Sequence, residues 1–311
     1  MLRVLESAFA CIQDAGRPGW ERFGVPPGGP MDWVALRAAN DLVGNPPEAA
    51  ALELALGALA LESTTDTLIA LTGAGFQLSV DGISMPSWSA VRVRAGQYIQ
   101  AAPLPTAPGM WAYLSIIGGI DTPPVLGSRS TYLRGQLGGL EGRLLQPGDL
   151  LPVRHVTPDW SLAGRRVPPQ ARPAYGAQIT ARVVLGPQEA WFTPEAVLRF
   201  LSEAYTLSRL SDRMGSRLEG PRLERARGGD LLSEGMVTGA IQVPPDGQPI
   251  VMMLDRPATG GYPKIATIIR ADLPLVAQLR PGEGCLCFQA VTIEEARLAI
   301  HQTRILIENI L

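Results

Sequence analysis

Short apolar runs, broken every few residues by Gly, Pro, Asp and Ser, predict a mainly β fold with a few short helices. Composition agrees, since Gly 34 and Pro 28 in 311 residues suit strands and turns better than helices. A hydrophobic fraction of 46% against 18% charged allows sizeable cores, and the length suits two domains of ordinary size.

The chain opens in a strand pattern, Met1-Leu2-Arg3-Val4, without the apolar centre of a signal peptide. Further strands are predicted over residues 52–61, 67–71, 76–80, 90–94, 111–116, 179–185, 248–254, 265–269 and 284–291. Asp81-Gly82 after Val80 is a hairpin turn signal. A helix is predicted over 33–43, capped by Asp32, with Leu36, Ala39 and Val43 on one stripe and Gly44-Asn45-Pro46 ending it. Thr193-Pro194-Glu195 starts a second, to about residue 204. Thr292-Ile293-Glu294-Glu295 is a capping box that opens a terminal helix toward Ile307.

Residues 155–178 are rich in Pro and Gly and read as a linker, so domains are predicted over 1–165 and 178–311. Val25-Pro26-Pro27-Gly28-Gly29-Pro30 is echoed by Val243-Pro244-Pro245-Asp246-Gly247-Gln248-Pro249, which would fit a duplication.

Several classes are disfavoured. A net charge of -2 without a basic run argues against nucleic acid as a partner. No run approaches the roughly 20 apolar residues needed to span a bilayer. Cys11, Cys285 and Cys287 make no disulfide framework, and with only His155 and His301 they make a poor zinc set. The expectation is a cytoplasmic protein that binds neither nucleic acid nor membrane, and no metal site is predicted on its own side chains.

Lys264 is the only lysine among 27 basic residues, in the turn Gly260-Gly261-Tyr262-Pro263-Lys264. A compact ammonium kept where all other cations are planar guanidinium forks suggests a geometric demand. The lysine follows Pro263, which excludes a Walker A loop. It also lies outside a Met-Lys-Met context, so no biotin is expected on this chain. No Gly-x-Ser-x-Gly elbow is present. Four Gly-rich loops concentrate polar groups: 13–19 around Asp14, 126–135 with Ser128, Arg129, Ser130 and Thr131, 211–220 with Arg213, and the run from Glu234 through Gln242 to the lysine turn. Glycine lets backbone N–H groups approach an anion while Arg and Lys supply charge. The plainer reading of each loop is structural. Asp14 with Arg17, and Asp212 with Arg213, would be local pairs; Glu234 and Gln242 would order loops; Tyr262 would pack beside Pro263.

Taken together, these segments resemble the family of 5-oxoprolinase C subunits, also called allophanate hydrolase subunit 2, Kip antagonist or biotin-dependent carboxyltransferase. The matching residues include Gln13-Asp14-Ala15-Gly16-Arg17-Pro18-Gly19, Gly118-Gly119-Ile120-Asp121 through Gly127-Ser128-Arg129-Ser130-Thr131, and Ser211-Asp212-Arg213-Met214-Gly215. Leu232-Ser233-Glu234-Gly235, Gly239-Ala240-Ile241-Gln242-Val243-Pro244-Pro245 and Thr259-Gly260-Gly261-Tyr262-Pro263-Lys264-Ile265-Ala266 complete the set. Ser216 departs from the aromatic that the family has after Met-Gly.

The resemblance implies two cyclophilin-like β-barrel domains. It also implies work with a smaller B subunit, of the Kip inhibitor or allophanate hydrolase subunit 1 type, and with an A subunit. Together they would open 5-oxo-L-proline to L-glutamate at the expense of ATP, with Mg2+. Such chemistry needs cations against phosphates and donors on a carboxylate. Lys264, Arg129, Arg213 and Glu234 are then the catalytic candidates. Asp14, Ser128, Ser130, Thr131, Gln242, Gly260, Gly261 and Tyr262 would surround substrate or ATP. The alternatives are a regulatory antagonist of a Kip-type histidine-kinase inhibitor and a carboxyltransferase component of urea or allophanate metabolism.

Overall fold

The computed structural model describes residues 1–228 and 231–308, and the chain divides into two compact units. One comprises Met1–Arg17, Gly28–Pro173 and the chain from Leu306; the other comprises Pro18–Pro27 and Ala174–Ile305. Both are built mainly of β-strands, as the sequence indicates.

In the first unit the strands form two sheets. Across one the order is Leu150–Leu151, Leu2–Ser7, Leu59–Ser63, Tyr98–Pro103, Phe76–Val80 and Ile83–Met85. Across the other it is Ala10–Gln13, Ala51–Leu54, Ala112–Ile116, Thr67–Gly73 and Ala90–Val93. Val4, Leu61 and Ile99 of the first sheet share one buried core with Leu52, Ile69 and Leu114 of the second. Each such side chain contributes roughly 1.5–3 kcal/mol by leaving water. The alternation of buried and half-buried residues in Phe76–Val80 shows how one face is selected.

The strand predicted over 52–61 is two strands, Ala51–Leu54 and Leu59–Ser63, in different sheets. The break is apolar and so invisible to patterning. Leu56 turns the chain with φ 53, and a Cβ on Gly57 would lie 2.3 Å from that of Ala8. The Asp81-Gly82 hairpin forms as its residues demand: both have positive φ, 50 and 76, and Val80 pairs with Ile83.

Helix α1 (Trp33–Leu42) is capped by the Asp32 carboxylate, which accepts from the Ala35 N–H at 2.9 Å. It buries Leu36 and Ala39 and is pinned by the Thr72 hydroxyl, which donates to the Ala35 carbonyl at 2.7 Å. Beneath it the Tyr113 hydroxyl donates to Glu53 at 2.7 Å and accepts from the Asp32 N–H at 2.7 Å. Burial and the neighbouring Glu53 and Asp32 charges push this phenol well above its ordinary pKa.

The second unit closes into a seven-stranded barrel: Gln178–Leu185, Lys264–Ile268, Ala240–Gln242, Ile250–Met252, Gly215–Glu219, Tyr205–Leu207 and Cys285–Ala290. Closure is made by the parallel pairing of Cys285–Ala290 with Gln178–Leu185. Helix α2 (Pro194–Ser202), capped by Thr193, presents Phe200 to that strand. Its ring stacks on Phe288 with centroids 4.3 Å apart, and Tyr205 packs against both. Burial pushes the Tyr205 phenol up to about 12. The short α3 (Leu273–Ala277), with Pro274 in its first turn, carries no sequence signal that separates it from a loop. Helix α4 (Ile293–Glu308) begins with the reciprocal Thr292–Glu295 box.

Candidate active site

Lys264 is the first residue of a barrel strand, opposite Gln242 at a point where the register shifts. Its residue exposure is only 7%, so its ammonium is withdrawn from bulk water. The Nζ donates to Glu234 Oε1 in a close ion pair. Gln188 locks this pair with one amide. Its Oε1 accepts from the Lys264 N–H at 3.2 Å, and its Nε2 donates to the same Glu234 oxygen at 2.9 Å. Glu234 keeps 39% of its side chain exposed, so the pair faces solvent through its carboxylate.

The glycines place the carboxylate. Glu234–Gly235 pairs with Thr259–Gly260 in a two-stranded ribbon, Glu234 opposite Gly260. A Cβ on Gly260 would lie 2.5 Å from Gln242 Nε2 and 2.6 Å from Met236 Cε. Gln242 Nε2 donates to the Tyr262 carbonyl at 3.2 Å, while the Tyr262 ring is exposed. One cluster thus gathers Lys264, Glu234, Gln242, Gly260 and Tyr262, with Gly261 in the same turn. Gln188, which ties it together, lacks any sequence signal beyond its place in the loop after a strand.

A second cluster lies within the first unit and is self-contained. The Asp14 carboxylate accepts from the hydroxyls of Ser128 (2.5 Å) and Ser130 (2.7 Å) and from the N–H groups of Gly16 (2.9 Å) and Arg129 (2.5 Å). Thr131 exchanges bonds with the backbone of Ile12, and Gln13 Nε2 donates to the Thr131 carbonyl at 3.1 Å. Arg17 reaches the carbonyls of Ser130 and Val125. Arg129 extends to Asp121 at 2.7 Å. Asp14 therefore staples two distant loops, which is more than a local pair with Arg17 would do.

Arg213 is engaged by Asp255, with both residues about 7% exposed at the side chain and contacts of 2.8 and 3.2 Å. Asp212 turns instead to the N–H groups of Met214 and Gly215. Neighbouring charges in a tight loop project apart, so Arg213 finds its carboxylate 42 residues on rather than at Asp212. Arg256, also buried, donates to the Met236 carbonyl at 3.1 Å; burial lowers its pKa, with Glu21 opposing. Among the described residues no group of three His, Cys, Asp or Glu stands ready for a metal, and no helix is long and apolar enough to cross a membrane.

The lysine turn, the ribbon and the barrel that carries them fall within a family match. Residues 23–289 match the family described as carboxyltransferase domain, subdomain A and B, and the chain belongs to it. It is 41% identical over 297 residues to the 5-oxoprolinase C subunit of Escherichia coli (strain K12), covering 95% of this chain and 93% of that protein. It is 39% identical over 311 residues to the 5-oxoprolinase C subunit of Haemophilus influenzae, covering 100% and 97%. Among solved structures, the K. lactis urea amidolyase matches 100% of this chain with a TM-score of 0.93 at 31% identity. The chain spans only 20% of that enzyme's length.

Proposed function

We propose that this chain is the C subunit of an ATP-dependent 5-oxoprolinase, which opens 5-oxo-L-proline to L-glutamate together with its A and B subunits. The observation that carries this reading is the nearly end-to-end match, in both directions, to two proteins named as 5-oxoprolinase C subunits.

The Lys264 cluster suits the chemistry. A five-membered lactam is a stable amide, and phosphorylating its carbonyl oxygen makes it a better electrophile for water. An ammonium held in low-dielectric surroundings stabilises negative charge developing on that oxygen or on the phosphoryl group. Glu234 and Gln188 fix where the ammonium sits, so little reorganisation accompanies the reaction. Gly260 and Gly261 let backbone approach the ligand, and Tyr262 and Gln242 border it. ATP is the proposed cosubstrate. Mg2+ is proposed to come with the nucleotide, since it commonly arrives on substrate phosphates with most of its waters.

The test is to combine this chain with its A and B subunits and follow 5-oxoproline-dependent ATP hydrolysis. Associated, folded subunits without turnover would sink the reading. A carboxyltransferase role in urea metabolism is the second reading, favoured by the 0.93 TM-score. It predicts transfer of carboxyl groups from carboxybiotin to urea instead.

A further inference from the structure

The Val243-Pro244-Pro245-Asp246-Gly247 loop, prominent in sequence, takes no part in the Lys264 cluster, yet it braces two arginines. Arg222 Nη2 donates to the Pro245 carbonyl at 3.0 Å, and its stem lies across Gly247, where a Cβ would be 2.4 Å from Arg222 Cγ. Gly247 has φ 77, so only this backbone and this residue leave the arginine its path. Arg225 donates to the Val243 carbonyl through Nη2, while its buried Nε has no acceptor. A third guanidinium, Arg227, lies 5.6 Å from the centre of the Trp191 ring.

These three line one cleft of about 560 Å³ with Leu223, Glu224 and Pro245. That volume is within the range of small-ligand sites, roughly 300–1,000 Å³. Among the described residues no ion pair engages any of the three, and Glu224 is the one carboxylate in the lining. Clustered like charges repel, and holding two of them on backbone carbonyls and the third beside an aromatic ring, rather than on acids, leaves their forks for an outside anion. Val243, whose carbonyl holds Arg225, is itself tied through its N–H to the Pro263 carbonyl at 3.0 Å.

We propose that the Arg222–Arg225–Arg227 cleft is a binding site for a phosphate chain, separate from the Lys264 cluster. Identifying that chain as the triphosphate of ATP rests on the 5-oxoprolinase reading; the site itself does not. An acidic segment of a protein would bring charges spaced along a backbone, whereas three forks around one small cleft suit a compact polyanion.

The experiment is calorimetric titration of the isolated chain with inorganic triphosphate at low and at physiological ionic strength. Saturable single-site binding is expected, weakened about tenfold or more by combining Arg222→Ala with Arg227→Ala. Both side chains are exposed, so thermal unfolding of the variant should match the parent. Lys264→Ala should leave this binding in place. Absence of saturable binding, or binding unchanged in the double variant, would overturn the proposal. So would retention of an acidic peptide in place of triphosphate, which would make the cleft a protein-docking surface. In the assembled enzyme, a raised KM for ATP with kcat kept assigns the site to the nucleotide. Triphosphate binding with an unchanged KM keeps the phosphate site and gives it another phosphorylated ligand.

Discussion

The ammonium of Lys264 and the carboxylate of Glu234, 30 residues apart in sequence, meet in an ion pair that is buried at one end and open at the other. The lysine side chain is 8% exposed and the glutamate 39%. Such asymmetry keeps the cation's position fixed while leaving its partner displaceable. Lys264→Met, which keeps the stem and removes the charge, should lower kcat by about 100-fold or more in the assembled enzyme. Unfolding of the isolated chain should move little, since Glu234 can solvate. Lys264→Arg should also fail, because the buried ammonium meets Glu234 as a single point charge and a planar fork is larger and differently shaped. Rates near the parent's in either variant would make the lysine structural.

Asp14 behaves differently because every bond it makes is internal. Replacing it with Ala would take the acceptor from the Ser128 hydroxyl and from the Arg129 and Gly16 N–H groups, while the Ser130 hydroxyl would keep its bonds to the backbone of residue 14. Each buried donor left without a partner costs about 1–3 kcal/mol, so Asp14→Ala should destabilise the chain by roughly 3 kcal/mol or more. Denaturant unfolding checks this. Unchanged stability with lost turnover would instead place Asp14 against substrate.

The contrast shows what the sequence could and could not reveal. Capped helices and the Asp81-Gly82 turn were legible because their signals are local: a cap and the N–H it binds lie three residues apart. The loops holding Asp14, Ser128 and Lys264 were legible as polar, Gly-rich segments. Their partners were not. Asp14 reaches Ser130 across 116 positions, Gln188 reaches Lys264 across 76, and Asp255 reaches Arg213 across 42. Pairing at such range is decided by strand order, which residue spacing does not encode. The turn at Leu56 was hidden for the opposite reason, since an apolar break resembles the strands on either side of it.

Acid should act on the first unit through Asp149. Arg143 grips its carboxylate at 2.7 and 2.9 Å, and that hydrogen bonding holds the Asp149 pKa below its ordinary value against partial desolvation. A depressed folded pKa means the pair's stabilisation is complete above the unfolded value, about 3.9, and is lost as pH falls through the folded one. Asp149→Asn should therefore be less stable than the parent near neutrality, and the two should converge once pH has fallen below the depressed folded value. Urea unfolding at a series of pH values reads this directly, and parallel profiles would show that the pair contributes nothing.

The Arg213–Asp255 pair offers the clearest separation of architecture from chemistry. With both partners buried, removing the Asp255 carboxylate takes away the two short bonds it makes to Arg213, and breaking a buried pair costs about 3–5 kcal/mol. Asp255→Ala should therefore be severely destabilised. Combining it with Arg213→Met removes the cation as well, so the double variant should recover part of the loss. The coupling energy of such a double-mutant cycle should exceed about 1 kcal/mol, as for residues in one ion-pair network. Additive losses would show that the two act independently.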